Sequence, residues 1–235
     1  MGAGLALAMW FVDLLLPRRC AGCGAAAELL CPACFATLRV LRHPRCDRCG
    51  APTAWPVERC RECSGRRLAF ETARAAIVYA PPVPALVRGW KERGLRRVAS
   101  LAADLVDAHV ERPEADVITW IPPDPARQLR RSEHPAASLA RELAVRWDLS
   151  AEPLLRRRAH GTMRRQTGLT LVERRRNVRD AFTVAVRRAA PTLPERVVLV
   201  DDVYTTGATA SAAAAALRTA GVARVDVVTF ARTGR

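Results

Sequence analysis

Val197-Val198-Leu199-Val200-Asp201-Asp202-Val203-Tyr204-Thr205-Thr206-Gly207-Ala208-Thr209 is the stretch on which the fold turns. Arg196 to Val200 reads as a buried strand, with two acids at its C-terminal end. A turn of hydroxyls and one glycine follows, and Gly207 to Thr219 is an alanine-rich helix that Gly221 ends. Ligands of open α/β sheets bind at the C-terminal ends of strands. A helix start offers free N–H groups and the positive end of the helix dipole, which suit a phosphate monoester. Thr205, Thr206, Gly207, Ala208 and Thr209 form the phosphate-contacting run, with three hydroxyls and one glycine that allows close backbone approach. Asp201 and Asp202 stand where ribose hydroxyls would donate to them. An ordinary strand, turn and capped helix would have no use for two adjacent acids.

Outward from this stretch, residues 70–235 alternate strands and helices and contain no cysteine. Ala75 to Tyr79 reads as a strand closed by a proline-rich turn, Pro81 to Pro84. Residues 84–92 and 97–110 have helical composition. Asp116 to Ile121 is a strand stopped by Pro122-Pro123. Pro135 suits a helix start, and Leu139, Leu143 and Trp147 then share one helical face. Ala181 to Ala185 and Val225 to Phe230 complete the strands. This alternation predicts an α/β fold, a mostly parallel sheet with helices on both faces. Residues 1–19 are an apolar leader without a basic front, broken by Asp13, and read as a short packing helix. A signal peptide is the alternative.

Residues 20–65 hold all eight cysteines, as Cys20/Cys23, Cys31/Cys34, Cys46/Cys49 and Cys60/Cys63. Each C-x-x-C pair lets two thiolates from one tight turn reach one tetrahedral ion. Two structural zinc ions would use all eight, in sequential or interleaved pairing. Disulfides or redox-active thiols are the competing explanation, and four matched pairs favour zinc. A module this small cannot bury enough core to fold by itself, so metal would supply much of its folding free energy.

The formal charge is +15, from 38 basic and 23 acidic residues, which points to a polyanionic partner: nucleic acid, a phosphorylated small molecule or a membrane surface. The basic residues are almost all arginine, and Lys91 is the only lysine. A lone lysine amid arginine suggests a need for a compact ammonium, with a solvated helix-end residue as the plain alternative. Residues 156–179 read as a long loop containing Arg156, Arg157, Arg158, Arg164, Arg165, Arg174, Arg175, Arg176 and Arg179. Such a loop can close over pyrophosphate, dock on nucleic-acid phosphates, or simply be solvated. His43, His109, His134 and His160 show no metal spacing.

The segment 197–209 resembles the phosphoribosyl diphosphate (PRPP) motif of type I phosphoribosyltransferases. Together with the cysteine pairs, the chain resembles the ComF family, competence-associated proteins that join a zinc module to a phosphoribosyltransferase domain. The likeness extends through Trp90-Lys91, Pro122 with Arg127, Gln166 and Arg174 to Asn177. It departs at Arg131-Ser132-Glu133-His134-Pro135, where family members carry Arg-Gly-Phe-Asn-Gln. The resemblance implies a cytoplasmic protein binding Mg²⁺–PRPP, with Asp201, Asp202 and Lys91 in the reacting site and a link to nucleotide metabolism or DNA uptake. The alternative is a non-catalytic nucleic-acid or partner-binding protein of DNA uptake that keeps a phosphate pocket.

Overall fold

The computed structural model describes residues 19–27, 29–124, 134–158, 181–185 and 192–234. Its strands are β1 (Ala73–Val78), β2 (Val117–Trp120), β3 (Ser150–Ala151), β4 (Leu155–Arg157), β5 (Phe182–Val184), β6 (Arg196–Tyr204) and β7 (Arg224–Arg232). Its helices are α1 (Pro32–Ala36), α2 (Val83–Arg93), α3 (Arg97–His109), α4 (Pro135–Trp147) and α5 (Ala208–Thr219). Five strands form one sheet in the order β1-β7-β6-β2-β3, and every neighbouring pair is parallel. The central β6 and β7 carry runs such as Val197 to Val200 because both faces are covered. Helix α5 covers one face with Ala210, Ala213, Ala214 and Leu217, and α2, α3 and α4 cover the other. On that second face Arg146 bonds Asp104, and Trp147 Nε1 donates to Asp107 at 2.7 Å, clamping α4 to α3.

Two expectations are corrected. Strand β6 does not stop at Val200: its ladder with β7 continues through Asp201–Thr229, Val203–Ala231 and Tyr204–Arg232. The two acids therefore lie within the strand, on alternate faces. The arginine-rich stretch is also not a loop at its start, since β4 pairs antiparallel with β5 and Arg156 and Arg157 are strand residues. Arg157 lies over the Phe182 ring at 5.0 Å and 3.8 Å from Asp124. The arginines from Arg164 to Arg179, the leader to Arg18, and Arg127, Gln166 and Asn177 fall outside the described residues. At the departure from the family pattern, His134 caps α4, its Nδ1 accepting from the Ala137 N–H at 3.2 Å.

The cysteine segment lies along the exposed edge of β1. Leu41 N–H donates to Ala76 O, Val78 N–H to Arg39 O and Ala73 N–H to Arg48 O, so these segments satisfy an edge that would otherwise be open. Cys46, Cys49 and Cys63 are buried in the same core cluster as Phe70, Leu199 and Tyr204. No described helix is long and apolar enough to cross a membrane.

Candidate functional site

Strand β6 delivers Asp201 and Asp202 at the sheet's C-terminal end, and residues 205–207 turn directly into α5. Gly207 is the N-cap of that helix, in the left-handed region at φ 71°, and supplies no side-chain cap to the first turn. The Thr206 hydroxyl accepts from the Ala208 N–H at 3.3 Å. A Cβ at position 207 would stand 2.2 Å from the Tyr204 hydroxyl oxygen. Glycine is thus required twice, by backbone angle and by space.

Lys91, near the end of α2, reaches this strand. Its ammonium forms an ion pair with Asp202 Oδ2, and both side chains are largely buried. The lone lysine of the sequence and one of the two acids thus meet across 111 residues of chain. Asp201 Oδ1 accepts from the Asp202 N–H at 2.9 Å. Burial, and then the neighbouring Asp202 carboxylate, push the Asp201 carboxyl well above its ordinary value, although Lys91 and the Asp202 N–H pull the other way.

That shift has a measurable consequence. An acid whose folded pKa is raised binds protons more tightly folded than unfolded, so stability falls as pH climbs from the ordinary carboxylate range through the raised value. Asp201→Asn removes this slope and is expected to melt above the wild type once pH exceeds that range, as read from Tm against pH.

The cysteines assemble in chain order, Cys20, Cys23, Cys31 and Cys34 in one tetrad and Cys46, Cys49, Cys60 and Cys63 in the other, so the sequential pairing is the one found. None of the eight is in a disulfide. Sulfur separations are 3.6 Å for Cys23–Cys31, 3.6 Å for Cys46–Cys63 and 3.5 Å for Cys49–Cys60. A tetrahedron with Zn–S bonds of about 2.3 Å has edges of about 3.8 Å, so both tetrads fit structural zinc. Backbone N–H donors support the thiolates. Cys31 and Gly22 donate to Cys20 Sγ, and Cys60 donates to Cys46 Sγ at 3.2 Å. Donation from Cys31 and Cys23 brings Cys20 down to about 6.

Sequence reasoning did not single out Arg232, the last residue of β7 and 2% exposed. Its guanidinium donates to Cys49 O at 2.7 Å and Glu62 Oε2 at 2.6 Å, lies 3.9 Å from Cys49 Sγ, and stacks 4.5 Å over the Tyr204 ring. The only signal in the sequence was a cation closing an apolar strand. Tyr204, whose hydroxyl burial pushes up to about 12, also meets Phe70 edge-on. A cleft of about 330 Å³ between Arg48, Leu68, Glu71 and Arg218 lies at the opposite end of α5 and β7 from Gly207 and belongs to neither centre.

These centres define a class, a cysteine-tetrad module fused along the edge of a parallel α/β sheet. Residues 11–64 match the double zinc ribbon domain family. The chain belongs to the competence protein F family. It is 30% identical to competence protein F of Haemophilus influenzae, over 86% of this chain and 90% of that protein. It is 30% identical to DNA utilization protein YhgH of Salmonella typhi and 29% to that of Escherichia coli K12, each over 87% of this chain and 90% of the relative. Among solved structures it is similar to a glutamine PRPP amidotransferase from B. subtilis complexed with ADP and GMP. That match has 25% identity and a TM-score of 0.39, over 57% of this chain and 26% of the other.

Proposed function

We propose that this protein binds Mg²⁺–PRPP, or a related phosphorylated ribose, at residues 201–209, and acts as a phosphoribosyltransferase in the service of DNA uptake. The observation that carries the reading is the ion pair between the lone lysine, Lys91, and Asp202, beside Asp201 and a helix start whose N-cap, Gly207, has no side chain to occupy it. The relatives' names, competence protein and DNA utilization protein, support the setting. In this reading the 5′-phosphate lies on the Thr205–Thr209 amides and hydroxyls, and Asp201 and Asp202 accept from the ribose hydroxyls. Mg²⁺, a hard ion suited to carboxylate and pyrophosphate oxygens, would neutralise charge on the leaving group. Lys91 orients Asp202 through their ion pair, and the chain contributes mainly position and electrostatics.

Calorimetric titration of the two-zinc protein with Mg²⁺–PRPP tests this. Wild type is expected to bind, and Asp201→Asn and Asp202→Asn to bind weakly. A wild type that does not bind removes the reading. Lys91→Arg is a sharper probe, because a planar guanidinium cannot replace a compact ammonium. It should weaken binding about ten-fold, in a chain that otherwise prefers arginine everywhere.

A second reading is favoured by Phe35 and Trp55, aromatics exposed at 47% and 68% on the cysteine segment of a strongly basic chain. Exposed aromatics beside cations suit stacking on single-stranded nucleic acid in a non-catalytic uptake protein. PRPP binding with no pyrophosphate release across nitrogen-base acceptors, together with salt-dependent DNA binding lost in Trp55→Ala, would select it.

A further inference from the structure

Arg232 touches both centres at once. One edge of its guanidinium bonds Cys49 O and approaches Cys49 Sγ, and its flat face lies 4.5 Å over Tyr204. Tyr204 in turn fills the space beneath Gly207, where an added Cβ would be 2.2 Å from its hydroxyl oxygen. Tyr204 and Arg232 are also register partners on β6 and β7, and the Thr233 N–H donates to Tyr204 O at 3.0 Å. Cys49 is 2% exposed, Tyr204 5% and Arg232 2%, so none of the three can shift without displacing its neighbour.

We propose that Arg232 is a positioning residue through which the second cysteine tetrad sets the shape of the Thr205–Thr209 cradle, so that sugar-phosphate binding and zinc retention at that tetrad are mutually coupled. The proposal rests on the sugar-phosphate reading of this turn. An ion shared by the four thiolates would tie Cys49 to Cys46, Cys60 and Cys63. Arg232 is then held at two points, Cys49 and Glu62, and its face fixes the Tyr204 ring against Phe70. Outer-shell partners of this kind ordinarily change metal affinity strongly when removed. Thermodynamic linkage makes the effect reciprocal: whatever the intact tetrad contributes to sugar-phosphate affinity, the bound sugar phosphate returns to zinc affinity. Among the described residues no side chain bridges the first tetrad directly to the 205–209 turn. Its contacts run through Gly22 to Pro82, at the entry to α2.

The test uses the full two-zinc chain as wild type, Arg232→Met and Arg232→Lys, with metal content measured. In Arg232→Met, amide hydrogen exchange at residues 205–209 should rise about ten-fold while residues 97–109 in α3 stay unchanged, and Arg232→Lys should be intermediate. Affinity for Mg²⁺ with ribose 5-phosphate should fall about ten-fold in Arg232→Met. In Cys23→Ser, which retains only the second ion, saturating ribose 5-phosphate should slow zinc transfer to a chromogenic chelator by a similar factor.

Exchange at 205–209 that is unchanged, or that rises equally in α3, overturns the proposal. So does ribose 5-phosphate affinity that is equal in wild type and Arg232→Met. If Arg232→Met does not fold, Arg232→Lys is judged by the same readings. Wild type that binds no sugar phosphate, while exchange at 205–209 still responds to Arg232, keeps the physical link and removes the sugar-phosphate reading instead.

Discussion

Cys63→Ser is expected to unfold the entire chain at temperatures where Cys23→Ser still melts as a cooperative protein. Cys63 is 1% exposed and Cys46 is fully buried, and both belong to the cluster that also contains Phe70, Leu199 and Tyr204. Structural zinc contributes roughly 10–16 kcal/mol to cysteine-rich sites, against a net domain stability of about 5–15 kcal/mol. Losing one thiolate there forfeits much of that contribution and leaves the remaining thiols and a hydroxyl buried. A cost above about 5 kcal/mol follows. Cys23 is exposed, and its tetrad packs around α1 and the start of α2. Its loss should release one zinc per chain while the sheet stays folded. Circular dichroism melts with zinc counts on both variants decide the matter. Equal melting would mean that the second tetrad carries no more of the fold than the first.

Gly207→Ala should have the largest effect on ligand binding. At φ 71° an alanine pays roughly 1–2 kcal/mol in backbone strain. Its Cβ would also overlap Tyr204, which Phe70 and Arg232 hold in place. Overpacking of this kind costs about 1–3 kcal/mol more. The chain can relieve the overlap only by moving the turn that would cradle the phosphate, so Mg²⁺–PRPP affinity should drop about 100-fold. Gly221→Ala is the natural control. It too has positive φ, at 108°, but an added Cβ there meets nothing within 4 Å, so it should lose stability through strain alone and keep its affinity. Calorimetry on the pair separates the two causes, and equal affinity would show that the turn tolerates displacement.

Much of this was legible from residue order because it is local. Strand, turn and helix from Val197 to Thr219 follow from an apolar run, a glycine and an alanine-rich segment close together in the chain, and C-x-x-C spacing brings two sulfurs to one turn whatever the surroundings. The extent of β6 was not legible. Asp201 to Tyr204 are strand because β7 offers them partners as far as Arg232, and a ladder partner lies in another part of the chain. The start of the arginine-rich stretch escaped for the same reason, since Arg156 and Arg157 are extended only because Thr183 and Phe182 pair with them.

The amino-acid sequence by itself determined the parallel α/β class, the eight sulfur ligands, and the hydroxyl-and-glycine turn from Thr205 to Gly207 that leads into a helix. It also marked Lys91 as unusual without saying what the lysine meets. Tertiary structure alone decided which cysteine pairs share a site, that Lys91 faces Asp202, and that Arg232 spans the 183 residues back to Cys49 to sit between the second tetrad and Tyr204. Spacing along a chain governs what one turn can gather, whereas contacts between distant segments depend on the order in which strands add to the sheet and on which faces the core then closes.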